Sequence, residues 1–118
     1  MDLEDLRGYC LSKPGADESY PFGPGALVMK VGGKLFAIIA DESDPLTLSL
    51  KCEPDIAVML RSHYPAVGPG YHLNKRHWNT VTLNGTIQKK QILEWVDDSY
   101  DLVVETLPRR IRDEIGGT

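Results

Sequence analysis

The run ALVMKVGGKLFAII, residues 26 to 39, constrains the fold more than any other part of the chain. Two apolar β-type segments flank Gly32 and Gly33, and such a pair supplies the positive φ angles of a tight hairpin turn. A phosphate-binding reading of these glycines fails, because no GxxxxGK(S/T) pattern surrounds them. After the polar turn DESDP, the segment LTLSLK sets Leu46, Leu48 and Leu50 against Thr47, Ser49 and Lys51. That is the period-two pattern of a strand with one buried face. Three consecutive antiparallel strands result.

Helices surround this block. Asp2 is placed to cap a first helix whose apolar positions Leu3, Leu6, Cys10 and Leu11 share a face, with Asp5 completing a weak capping-box imitation. The segment KPGADESYPFGPG holds three prolines and stops that helix, so it is predicted as an extended connector. Pro54 suits the first position of a short second helix with an apolar stripe of Ile56, Met59 and Leu60. AVGPGYHLNK is predicted as loop and HWNTVTL as a fourth strand. Leu93, Val96, Tyr100, Val103 and Leu107 follow helical spacing, widened by Trp95 and Val104, and Pro108 restarts the chain into RRIRDEI. The order α, β, β, β, α, β, α, α predicts an α+β fold with an antiparallel sheet rather than a parallel βαβ core.

At 118 residues, 42% apolar and 25% charged, the chain fits one globular domain spanning 1–118 and departs from disordered or coiled-coil composition. Neither a basic, apolar leader nor a run of about 20 apolar residues is visible, so no membrane partner and a cytoplasmic location are expected. Cys10 and Cys52 lack zinc-finger or CxxC spacing and are expected to be reduced and structural.

Net charge is −4, which weighs against a polyanionic partner, yet the average conceals a split. From Ile56 to Leu93 there is no Asp or Glu, while Arg61, Lys75, Arg76, Lys89 and Lys90 are all there, with all three histidines. Such a division makes one positive face on an acidic body, unless folding scatters the charges.

The densest part of this stretch is GYHLNKRHWNTVTL. Strand alternation places Trp78, Thr80 and Thr82 on one face and Asn79, Val81 and Leu83 on the other, the latter two toward the core. Trp78 then either seals the sheet edge or offers its ring to a partner. Lys75 and Arg76 sit in the preceding turn, either solvated or holding phosphate, Arg as a planar fork and Lys as a point charge. His72 and His77, with His63 farther off, lack metal-ligand spacing and a nearby carboxylate, and no G-x-S-x-G elbow accompanies Ser12 or Ser99. No metal, cofactor or catalytic residue is therefore expected. Lys89 and Lys90 fall in the first turn of the long helix, where the macrodipole disfavours cations by about 0.3 to 1 kcal/mol each. A bound anion or a frayed, exposed turn would relieve that cost. The strand between the two basic pairs spans roughly 20 Å, so they can serve one extended polyanion but not one small pocket.

Three segments, KPGADESYPFG at 13 to 23, HLNKRHWNTV at 72 to 81 and DDSYDLVVETLP at 97 to 108, resemble the MmcQ/YjbR family of small bacterial proteins over essentially the whole chain. The resemblance implies a fold similar to the bacterial frataxin homologue CyaY, with helices on one face of the sheet and protruding β elements described as a double wing. It also implies DNA binding, a family label that rests on the wings, and singles out His72, Asn74, Lys75, His77 and Trp78. Iron binding does not follow, since the first helix offers only Asp2, Glu4 and Asp5.

Two functions are thus expected, neither enzymatic. In the first, the Gly32–Gly33 hairpin and the 70–75 loop are wings on double-stranded DNA. Lys75, Arg76, Lys89 and Lys90 contact phosphates, and His72, Asn74, His77 or Trp78 approach sugar or base edges. In the second, Tyr71 to Trp78 line a groove for a small ligand or a protein.

Overall fold

The computed structural model describes residues 1–71 and 73–116 and contains one six-stranded, fully antiparallel sheet. In chain order the elements are α1 (Leu3–Ser12), β1 (Ala16–Ser19), β2 (Leu27–Val31), β3 (Lys34–Ala40), β4 (Thr47–Lys51), α2 (Pro54–His63), β5 (Val67–Pro69), β6 (Trp78–Thr82), α3 (Lys89–Glu105) and α4 (Arg109–Ile115). Spatially the strands run β1-β2-β3-β4-β6-β5. The α+β class and the antiparallel block follow the sequence reading. Two short strands do not: β1 lies inside the proline-rich connector and β5 inside the 66–75 loop. Both are edge strands, where one ladder of hydrogen bonds suffices and hydrophobic alternation is not required.

The β2–β3 turn consists of Gly32 and Gly33 alone, at φ +58° and +79°. A Cβ on Gly32 would lie 2.7 Å from a Leu107 methyl, so the hairpin tip is docked on the C-terminal segment rather than projecting freely at that side. One strand farther in, the β2–β3 register shifts between Met29 and Lys30, leaving Phe36 as an extra residue on β3. This bulge lets Phe36 and Ala37 both reach the core. Ser99 of α3 completes the arrangement: its hydroxyl donates to the Phe36 carbonyl at 2.6 Å and accepts from the Lys51 N–H at 2.8 Å.

All helices cover the same sheet face. Leu6 and Cys10 of α1, and Ile92, Trp95, Val96, Tyr100 and Val103 of α3, join Met29, Phe36, Ile39, Leu48 and Val81 in one core. Burial pushes the Cys10 thiol up to about 12. Asp2 caps α1 as expected, accepting from the Asp5 N–H at 2.8 Å. The stripe expected on α2 is corrected. Leu60 of the stripe packs against the core and Ala57 is buried, but Ile56 and Met59 are exposed, and the helix also leans on β6 through polar contacts. Buried Asn79 donates to the Ala57 carbonyl at 3.2 Å and accepts from Arg61 Nε at 2.8 Å.

The segments at 13–23 and 97–108 clasp one another. Lys13 Nζ lies 2.9 Å from Asp97, the Tyr100 hydroxyl donates to the Pro14 carbonyl, and Tyr9 donates to Asp97 at 2.7 Å. Among the described residues no helix is long and apolar enough to cross a membrane.

Candidate nucleic-acid interface

With every helix on one side, the other face of the sheet carries no helix, although loops cover part of it and bury Val28 and Ser49. Strand register and alternation assign it Val28, Lys30, Ile38, Ala40, Thr47, Ser49, Lys51, Trp78, Thr80 and Thr82. Trp78, Thr80 and Thr82 share this face as the sequence predicts, and Val81 turns to the core. Thr80 and Ser49 are cross-strand partners with hydroxyl oxygens 2.8 Å apart. The Tyr71 N–H donates to Thr80 Oγ1 at 3.0 Å, which folds the β5–β6 loop back over the sheet.

A cavity of about 440 Å³ results, floored by Ile38, Ala40, Thr47 and Ser49 and walled by Phe22, Gly25 and Ala26 on one side and Tyr71 and Leu73 on the other. Phe22 and Tyr71 are each 73% exposed, at opposite rims. At the Gly25 wall a carboxylate oxygen of Glu42 lies 3.4 Å from where a Cβ would stand.

The residues singled out from the sequence divide. Asn74 builds the turn: its side-chain oxygen accepts from the Arg76 N–H at 2.9 Å, and its carbonyl accepts from the His77 N–H at 3.2 Å. The His77 carbonyl accepts from the Cys52 N–H at 2.7 Å, fixing the loop to the end of β4. Lys75 and Arg76 are exposed at the top of this loop, Lys75 Nζ resting 3.3 Å from the Gly70 carbonyl. Trp78 is half-buried beside Gly70, where a side-chain Cβ would approach the Trp78 Cβ to 2.7 Å. His72 lies outside the described residues.

Lys89 and Lys90 belong to a different surface. They begin α3, on the helical side, and Lys89 lies 3.4 Å from Asp5 of α1. A neighbouring carboxylate thus faces this first-turn cation. At roughly half exposure the pair contributes about 0 to 1 kcal/mol. Arg61 serves the loop from beneath, donating to Asn79 and to the Lys75 carbonyl. The basic stretch therefore does not fold into one stripe. Lys30 and Lys51, overlooked in sequence because they lie outside it or read as plain strand residues, join Lys75 and Arg76 on or beside the open face instead. Strand register was the missing signal.

Five acidic residues gather on the opposite layer. Glu94, Asp97, Asp98, Asp101 and Glu105 all stand on α3, and burial followed by repulsion from Asp101, Asp97 and Glu94 raises the Asp98 carboxyl above the ordinary range. Among the described residues no three of His, Cys, Asp or Glu converge as a metal site.

The family model described as YjbR matches residues 11–102. The chain belongs to the YjbR family. The YjbR protein of Escherichia coli K12 is 39% identical over 112 residues, 95% of each chain. YbdF of Escherichia coli O157:H7 is 33% identical over 107 residues, 91% of this chain and 88% of its own. A crystal structure of the Deinococcus radiodurans protein DR2400 superposes with a TM-score of 0.92 at 40% identity, over 98% of this chain and 88% of that one. A Pseudomonas syringae protein does so at 0.75 and 28%, over 86% and 98%. The YjbR fold thus extends over the whole open face.

Proposed function

We propose that this YjbR domain is a non-enzymatic DNA-binding module that contacts its partner through the open sheet face and the β5–β6 loop. The observation that carries this reading is the segregation of charge across the sheet. Lys30, Lys51, Lys75 and Arg76 come from β2, β4 and one loop, on or beside a single surface, while the α3 carboxylates occupy the opposite layer. A polyanion approaching from the open side meets ammonium and guanidinium groups, and neutralised phosphates release counterions. Asp17 opposes Lys30 across β1–β2, and Asp41 and Glu42 mark one end of the face, so phosphates are held toward the Lys75 and Arg76 end. Asn74 and His77 serve as the scaffold of that loop. Lys89, paired with Asp5, has no part in it.

The test is anisotropy of labelled DNA at several salt concentrations. About three to four phosphate contacts give a log affinity against log salt slope of roughly −2 to −4, and Lys75→Ala with Arg76→Ala makes it shallower by about two. Lys90→Ala leaves it unchanged. Absence of binding at low salt overturns the reading.

The cavity beside Tyr71 favours a second reading, a small-ligand module whose pocket falls in the usual range of about 300 to 1,000 Å³. A ligand held there by apolar contact binds with little dependence on salt, which separates the two.

A further inference from the structure

We infer that the cavity between Phe22 and Tyr71 is a receptor for one unpaired nucleobase, so that the domain prefers single-stranded DNA, or a base displaced from a duplex, to intact double helix. This rests on the DNA-binding reading and adds to it the form of the nucleic acid.

A base pair in a duplex presents edges, whereas this site presents aromatic walls. Phe22, on the turn after β1, and Tyr71, on the β5–β6 loop, rise from opposite sides of an apolar floor of Ile38 and Ala40. Both rings are largely exposed, and exposed aromatics above a sheet are the groups on which unpaired bases stack. Gly25 and Ala26 supply one wall, and Gly25 holds a φ of +92° that any side chain would strain.

Polar groups are few and placed at the floor and the far end. Thr47 and Ser49 bring hydroxyls to the floor, and Ser49 shares its hydrogen bond with Thr80. Lys75 and Arg76 follow Tyr71 in the same loop, where the phosphate attached to an inserted base is held. The site therefore has a polarity: base over the sheet floor, backbone toward Lys75 and Arg76. The Thr80 hydrogen bond fixes Tyr71 in the loop's folded-back course before any ligand arrives.

The test uses one labelled oligonucleotide of roughly a dozen mixed-sequence nucleotides, offered as single strand and as duplex, at low salt. The wild-type domain binds the single strand more tightly. Phe22→Ala and Tyr71→Ala each weaken single-strand binding on the order of 10-fold, the cost of one lost stacking contact, and change duplex binding less than about twofold. Phe22→Trp and Tyr71→Phe retain single-strand affinity. Phe22 is 73% exposed, so thermal melts of Phe22→Ala match wild type, and Tyr71→Phe, which keeps the ring, controls for folding at Tyr71. Equal affinity for the two forms, or Ala variants that bind single strand normally, overturns the base receptor and leaves phosphate-driven binding standing. Binding to neither form removes both.

Discussion

The Thr80 hydroxyl lies 3.0 Å from the Tyr71 backbone nitrogen and 2.8 Å from Ser49 Oγ, joining β4, β6 and the β5–β6 loop at one atom. A threonine that looks like an ordinary outward strand residue thus decides where the loop rests. Thr80→Val keeps the shape and β propensity but removes the acceptor. Denaturant unfolding then shows a loss of about 1 to 2 kcal/mol, and amides 71–77 exchange faster than in wild type. Unchanged exchange in the loop would mean that other contacts hold it.

Ser99 is fully buried and satisfies two backbone groups that the sheet leaves unpaired, the Phe36 carbonyl at the bulge and the Lys51 N–H at the end of β4. Ser99→Ala strands both. The expected cost is about 2 to 3 kcal/mol by chemical denaturation, larger than for an exposed serine. A loss below half a unit of that scale, about 0.5 kcal/mol or less, would mean the bulge relaxes to find other partners.

Arg7 donates to Glu18 across α1 and β1 and, by that hydrogen bond first and its charge as well, holds the Glu18 carboxyl below the ordinary range. A depressed carboxyl stabilises the folded state above its unfolded pKa and loses that contribution as pH falls through the folded value. Melting temperature should therefore drop between about pH 5 and pH 3, and less steeply in Glu18→Gln. Parallel pH profiles for the two proteins would show the pair to be energetically silent.

Much of the fold was legible because its signals are local. The Gly32–Gly33 turn, the alternation of LTLSLK and the stripe through Val96, Tyr100 and Val103 each encode an element without reference to the rest. The α2 stripe misled in part: Leu60 joins the core, but Ile56 and Met59, with the right spacing, stay exposed while Asn79 and Arg61 anchor the helix through a polar contact invisible to hydropathy. The site was half legible. Lys75, Arg76 and Trp78 stood out as a cluster in sequence, whereas Phe22, Ile38 and Ser49 meet Tyr71 and Leu73 of that loop around one cavity only in the folded sheet. Lys89 and Lys90 lay on the far side for the same reason: charge density along a chain does not specify which face of a sheet it reaches.

The central claim to test is that the helix-free face binds nucleic acid. Amide chemical shifts followed while single-stranded oligonucleotide is added report this residue by residue. Movement concentrated at Ile38, Ala40, Ser49, Tyr71, Lys75 and Arg76, with the α1 and α3 amides still, is the expected result. Movement centred on Lys89, Lys90 and the start of α3, or no movement at all, would contradict it.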